Sequence, residues 1–184
     1  MHALAHLWLP ILVSAAIVFV LSAVSHMLAP WRRTEFHHVP ETAAVQAALR
    51  GLPPGLYLFP AAEDPRERMT AAWMEKWAAG PSGWLTLVPG GPISMGRNLV
   101  LSFLVYLAVS VLAAYAAGHA LGWGAHYRAV FRVVGTITFL AYATGTSFQS
   151  IWYARPWRVW LADAFDALVF GLFTAGVFGW LWPR

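Results

Sequence analysis

Apolar residues in this chain gather into four long runs, separated by short polar turns and one longer polar segment. The runs cover residues 8–29, 99–121, 133–154 and 159–182, and each is long enough to cross roughly 30 Å of hydrocarbon as a helix. Backbone amides in lipid must find partners within their own segment, which favours helices. No run shows the polar face of a water-soluble bundle helix. The pattern predicts an all-α membrane protein with four transmembrane helices and a small α+β extramembrane insertion between the first two.

Tryptophan supports the ends of these runs. Eight of the 11 tryptophans lie at or near a predicted span end, where the amphipathic indole ring favours the headgroup level. They are Trp8, Trp31, Trp123, Trp152, Trp157, Trp160, Trp180 and Trp182.

The runs divide the chain into transmembrane helix 1 (1–30), an extramembrane segment (31–97) and transmembrane helices 2–4 (98–184). The first run lacks the basic start of a signal peptide, so we interpret it as a retained span. Within 31–97, Pro and Gly punctuation predicts short helices at 41–50 and 64–79, the second opening with a capping box of Asp64 and Glu67. The stretches 56–59 and 84–88 are expected to pair as a two-stranded ribbon, which is marginal alone. This segment should therefore lean on the membrane surface, the helix ends or a partner.

Composition narrows the class of protein further. Hydrophobic residues make up 59% of the chain and charged residues 11%, against about 45–50% and 25% in soluble domains. The absence of cysteine excludes disulfides, thiolate nucleophiles and cysteine-ligated metals. The net charge is +4, but the basic residues flank apolar runs, and segment 31–97 is nearly balanced. We therefore expect lipid, and no nucleic acid, as a partner.

Arginines set the predicted orientation. Four spans place both termini on one side of the membrane, which we call side A, and segment 31–97 on the other, side B. Five arginines flank the spans on side B and three on side A, and the positive-inside rule then makes side B cytoplasmic. We predict a multi-pass protein of a bacterial inner membrane. The side B arginines are Arg32, Arg33, Arg97, Arg155 and Arg158, and those of side A are Arg128, Arg132 and Arg184.

Two carboxylates lie inside the fourth run. Asp163 and Asp166 share a helix face at i, i+3, and a carboxylate at this depth, about 10 Å beyond Pro156, is costly unless it turns away from lipid. The same level holds His26, Gln149 and Ser150, so these five residues form a predicted intramembrane polar cluster. The cluster suits either a proton or cation path or a polar network that locks the helices together, with Arg155 or Arg158 reaching back. We favour the network.

Small residues recur at four-residue spacing in two runs. The spacing lets helices approach closely, so both rows are predicted helix-packing surfaces, within the bundle or against a partner. The rows are Ser110, Ala114 and Gly118 in the second run, and Gly171, Ala175 and Gly179 in the fourth.

Seven histidines suggest a second kind of site. His2 and His6 are four apart, and His119 and His126 lie near the same side A level, which allows a metal, haem or (bacterio)chlorophyll site. Interfacial, hydrogen-bonded histidines are the more common case, and we predict no cofactor. The sequence has no Gly-x-Ser-x-Gly, no phosphate-binding glycine loop and no His-Glu-x-x-His. We expect no enzymatic activity and no catalytic residue.

Several segments together resemble an uncharacterised family of small bacterial four-helix integral membrane proteins. The resemblance spans nearly the whole chain and implies a four-helix inner-membrane protein, without assigning an activity to any residue. The segments are 26–27, 30–33, 53–57, 92–96, 124–132, 150–153 and 178–183.

These observations favour a non-enzymatic accessory or structural subunit that packs against a larger membrane complex, respiratory or photosynthetic. Two alternatives stay open. One is a small transporter or proton-conducting protein that uses Asp163 and Asp166. The other is a haem- or pigment-binding subunit that uses the histidines of side A.

Overall fold

The computed structural model describes residues 2–33 and 35–184, omitting the side chains of residues 2 and 3. The described part holds seven α-helices and one two-stranded antiparallel sheet. The helices are α1 (His2–His6), α2 (Trp8–Leu28), α3 (Thr42–Ala48), α4 (Ala71–Ala79), α5 (Met95–Ala120), α6 (Tyr127–Trp152) and α7 (Trp157–Trp180), and the strands are β1 (Gly55–Phe59) and β2 (Gly83–Leu87). Two 3₁₀ turns, Pro30–Arg32 and Glu67–Met69, complete it.

Four helices, α2, α5, α6 and α7, are long and apolar enough to cross a membrane. They confirm the four predicted spans, with shifts at the ends. Helix α5 begins four residues early, at Met95, and α6 begins six residues early, at Tyr127. Helix α6 begins earlier because it has an N-cap, which a hydropathy pattern cannot show. The Nδ1 atom of His126 accepts a hydrogen bond from the backbone N–H of Arg128 at 3.3 Å.

Helices α6 and α7 pack backbone against backbone where glycines meet. A Cβ on Gly171 would lie 3.3 Å from the Gly135 carbonyl oxygen, and a Cβ on Gly135 would lie 3.2 Å from the Cβ of Ala175. A Cβ on Gly179 would lie 2.7 Å from the Tyr127 ring. The fourth-run row of small residues therefore faces α6, and its partners on α6 are Gly135 and Tyr127.

The main apolar core lies at the side A end of the bundle, and α1, α2, α5, α6 and α7 all contribute to it. The chain terminus closes this end, because Pro183 accepts a hydrogen bond from the backbone N–H of Gly124 at 2.9 Å and the Trp182 indole donates to the Gly122 carbonyl at 3.2 Å. Its buried members are Leu7, Ile11, Ala113, Ala114, Ala117, Val130, Val134, Ala175, Phe178 and Trp182.

The contact pattern separates residues 37–93 from the bundle, which comprises residues 1–36 and 94–184. In the smaller unit β1 and β2 pair antiparallel, with Gly55 opposite Leu87 and Phe59 opposite Gly83, so the predicted ribbon is confirmed. The rings of Trp73, Trp77 and Trp84 form a chain of contacts between α4 and β2, with centroids 5.1 and 5.4 Å apart.

The two short helices are present, but the second begins later than predicted. Helix α4 begins at Ala71, where the Thr70 hydroxyl caps it by accepting from the Trp73 N–H. The expected capping box was misplaced. Asp64 instead accepts from the Arg66 N–H at 2.8 Å, and Glu67 from the Glu63 N–H at 3.1 Å. These local bonds stabilise a turn and a 3₁₀ segment in place of the first helical turns.

Candidate functional site

A network of ion pairs at the side B end of the bundle is its most polar feature. The guanidinium of Arg32 bridges the two deep acids, with Nη1 2.6 Å from Oδ1 of Asp163 and Nη2 2.6 Å from Oδ2 of Asp166. Arg32 is 9% exposed and Asp166 is 5% exposed. Buried charges are tolerated when each is paired and hydrogen-bonded, and this arrangement meets that requirement for both acids.

The network continues toward the end of the bundle through a second arginine. Nη1 of Arg155 lies 2.5 Å from Oδ2 of Asp163, and its Nη2 lies 2.8 Å from Oε1 of Glu35. Glu35 also contacts Arg32 at 3.4 Å. At the inner end, the Ser25 hydroxyl donates to Oδ2 of Asp166 at 2.6 Å.

Local structure explains why these side chains meet. Pro30 opens a 3₁₀ turn directly after α2, and this turn carries Arg32 back toward α7. The Trp31 ring packs edge-on against Phe165 with centroids 5.3 Å apart, which fixes the turn against the helix that bears the acids. After α6, Ala154 adopts a left-handed conformation (φ 54°), and the next residue, Arg155, reaches Asp163.

The protonation state of Arg32 is secure. Burial lowers the pKa of its guanidinium, but the hydrogen bonds and charges of Asp166 and Asp163 outweigh burial, so the pKa lies above its usual value. Arg32 therefore stays charged throughout the pH range in which proteins are handled. The two guanidinium groups and three carboxylates of the network sum to −1 when all are ionised.

The structure brings the two predicted acids together, but their partners are not the predicted ones, His26, Gln149 and Ser150. His26 directs Nδ1 to the Ser22 carbonyl of its own helix at 2.9 Å. Gln149 is exposed. The Ser150 hydroxyl is buried and has no hydrogen-bond partner among the described residues. Arg155, which was expected to reach back, pairs with Asp163.

Sequence reasoning missed Arg32, Glu35 and Ser25 as members of the network. From the sequence, Arg32 was used only as a flanking charge that predicts the orientation of the span. The available signal was that two deep carboxylates require cations, and Arg32 directly follows the first span at the correct side of the membrane.

A row of buried hydroxyls extends from the network into the bundle. The Tyr106 hydroxyl donates to Ser22 at 2.7 Å. The Ser14 hydroxyl donates to the Pro10 carbonyl of its own helix at 2.6 Å, and its oxygen lies 3.2 Å from the Ser110 hydroxyl oxygen. The hydroxyls of Thr138 and Thr174 are buried without partners in the described part of the chain. Beyond Ser14 the interior becomes the apolar core of side A.

The histidines of side A are engaged in local contacts. His6 packs edge-on against Trp123 at 5.9 Å, and Nδ1 of His119 lies 2.7 Å from the Tyr115 carbonyl. The Nδ1 atom of His126 caps α6, and the side chain of His2 lies outside the described residues. Among residues 2–33 and 35–184, no group of three or more His, Asp or Glu side chains is placed to hold a metal ion.

The two small-residue rows occupy different environments. Ser110 and Ala114 are buried, and Gly118 is partly exposed. Gly171 and Ala175 are buried in the α6–α7 contact, and Gly179 lies against Tyr127.

Four apolar helices and a charge network enclosed at one bundle end define a multi-pass helical membrane protein. No family model, curated protein or solved structure shows significant similarity to the chain.

Proposed function

We propose that the chain is a non-enzymatic subunit of a larger assembly in a bacterial inner membrane. The observation that carries the proposal is the lack of buried residues in the unit 37–93, all of which the structure describes. No residue of this unit is buried. Large apolar side chains are openly exposed there, including Met69 at 77%, Val88 at 76% and Ile93 at 79%.

A unit without buried residues is not expected to be stable on its own. Its two-stranded sheet is marginally stable alone, and helices of seven and nine residues are shorter than the roughly 12–15 residues that an isolated helix needs. Exposed apolar surface of this kind is typical of an interaction site. A neighbouring subunit that covers the unit would supply the missing burial.

The transmembrane bundle supports a structural role for the deep acids. Asp163 and Asp166 are both paired with Arg32, and these ion pairs hold α7 to the turn after α2. Such a network can serve to stabilise the bundle, and this role requires no transported substrate.

Protection of the unit in its native setting tests the proposal. Hydrogen exchange at β1, β2 and α4 is compared in native membranes, in pure detergent-solubilised protein and in vesicles of the pure protein. We expect protection in native membranes that is lost in both purified samples. Equal protection in the vesicles would mean that lipid alone covers the unit, and the subunit proposal would then be overturned.

The orientation is tested by labelling. The chain has no cysteine, so Thr70→Cys supplies a single thiol in the exposed part of residues 37–93. We propose that this unit is cytoplasmic, and an impermeant maleimide should label it in inverted vesicles and not in intact spheroplasts. Labelling in spheroplasts alone would reverse the orientation.

One observation favours a second candidate, a small transporter or proton-conducting protein. The buried hydroxyls of Ser25, Ser22 and Tyr106 continue inward from Asp166, and hydroxyls of this kind can relay protons. Proteoliposomes with a pH-sensitive dye and an imposed potential test it. Flux that Asp166→Asn abolishes and the exposed control Asp64→Asn preserves would support conduction, whereas absence of flux in the unmodified protein would exclude it.

A further inference from the structure

Helices α6 and α7 enclose an apolar groove on the outer surface of the bundle. It consists of two cavities of about 570 and 480 Å³. Both are lined by Phe131 and Leu172, so they join end to end. The groove extends from Trp180 near side A toward Leu168 in the middle of the span.

Three glycines line the groove, in two different ways. Gly135 and Gly171 allow the two helices to approach, whereas a Cβ on Gly176 would meet no atom closer than the Tyr127 hydroxyl at 3.8 Å, so a larger side chain there has room to enter the groove. The two helices lie close together at Gly135 and Gly171, and the aromatic side chains of Phe131 and Phe173 also line the groove. An open apolar groove on the outer surface of the bundle suits an extended acyl chain.

One cation borders the groove inside the spanning segment. Arg132 is exposed and lines the second cavity, about 8 Å along α6 from Tyr127. Among the described residues no carboxylate lies within 4 Å of it. A charged arginine in this position is costly unless it reaches an anion at the interface.

Among the described residues, no Asp or Glu side chain is available at this end. All eight acidic residues lie within 35–75 or at Asp163 and Asp166, and the two deep acids belong to the network at the opposite end. Arg128 precedes Arg132 by one helical turn and is also exposed. The side A end of the groove therefore carries two exposed arginines that no Asp or Glu side chain of the described residues pairs with.

We propose that this groove is a binding site for an anionic phospholipid. One acyl chain occupies the groove, and Arg132, with Arg128 beside it, binds the phosphate. Guanidinium groups bind phosphate through paired, charge-assisted hydrogen bonds, and basic pockets between spanning helices are typical sites for anionic headgroups. A transmembrane helix of another protein would fit the apolar channel but would need an acidic residue to match the arginines.

Headgroup preference is the first test. Native mass spectrometry of the full chain in detergent measures binding of phosphatidylglycerol and of phosphatidylcholine with identical acyl chains. We expect phosphatidylglycerol to bind more tightly, and Arg132→Gln to weaken it on the order of tenfold, the loss expected for one charged hydrogen-bonded contact. Arg132→Lys should retain part of the preference. The matched control is Arg97→Gln, an exposed arginine at the start of α5, which should leave binding unchanged.

Occupancy of the groove is the second test. Brominated acyl chains quench nearby indoles, and Trp180 lines the groove. Gly176→Leu should reduce quenching by brominated phosphatidylglycerol, whereas Gly145→Leu, on an open part of α6 with no atom within 4 Å of its Cβ position, should not. Equal losses for Arg132→Gln and Arg97→Gln would overturn the proposal. So would unchanged quenching in Gly176→Leu, or self-association in vesicles that this variant abolishes without affecting lipid binding.

Discussion

Replacing Arg32 by methionine should destabilise the bundle severely. The main cause should be Asp166, which loses its cation, whereas Asp163 keeps a second one. The substitution keeps an unbranched apolar side chain and removes the guanidinium. Asp163 would retain Arg155 at 2.5 Å. Asp166 would retain only the Ser25 hydroxyl at 2.6 Å, so a buried carboxylate would be left without a cation.

The magnitude follows from burial. The side chains of Arg32 and Asp166 are 7% and 6% exposed, and removing one member of such a pair costs about 3–5 kcal/mol. For a chain of this length that corresponds to a fall in Tm on the order of 10 °C. Arg155 is 30% exposed, so Arg155→Met should cost less, about 1–2 kcal/mol, between the values for exposed and buried pairs.

A second substitution distinguishes the contributions of the two acids to the loss of stability. Adding Asp166→Asn to Arg32→Met removes the unpaired charge and should restore most of the stability. Adding Asp163→Asn should restore little, because Asp166 stays unpaired and Arg155 loses its closest partner.

Unfolding of the full chain in mild detergent, followed by tryptophan fluorescence against temperature or added SDS, measures these differences. Because the pKa of Arg32 is raised above its usual value, its contribution is present below that value and is lost only as pH rises through the higher one. The contribution of Arg32 should therefore be constant from pH 6 to pH 9. A cost below about 1 kcal/mol for Arg32→Met, or equal rescue by the two asparagine changes, would refute the reasoning.

Three further predictions use the same unfolding assay. Gly179→Ala should cost about 1–3 kcal/mol, because the new Cβ would lie 2.7 Å from the Tyr127 ring; Gly145→Ala, which meets no atom within 4 Å, should be neutral or stabilising, and equal costs would contradict the packing. Ala154→Gly should stabilise by up to about 1 kcal/mol, since glycine adopts a φ of 54° without strain; a loss of stability would be inconsistent with a strained turn. Ser14→Ala should cost less than about 1 kcal/mol, as interhelical hydrogen bonds in membrane proteins average roughly 0.6, and a larger loss would mean that the buried hydroxyl row carries more of the stability.

Hydropathy and turn residues alone determine a large part of this fold. The four spans can be predicted because the demand for about 20 apolar residues and internal hydrogen bonding is local to each segment. The ribbon of β1 and β2 is equally local, since proline and glycine bound both strands. Helix caps are harder to predict: α4 begins at Ala71, capped by Thr70, because side-chain bonds at Asp64 and Glu67 stabilise a competing turn before it.

The sequence also determines that Asp163 and Asp166 need cations, because a carboxylate in a spanning helix is costly without one. Only the tertiary structure decides which cations these are. Arg32 lies 131 residues from Asp163, and it was selected over other nearby arginines by the turn at Pro30 and by the packing of α2 against α7. The same holds for Gly135 opposite Gly171. Such pairings depend on the rotation and depth of each helix relative to its neighbours, which the periodicity of one helix leaves undetermined.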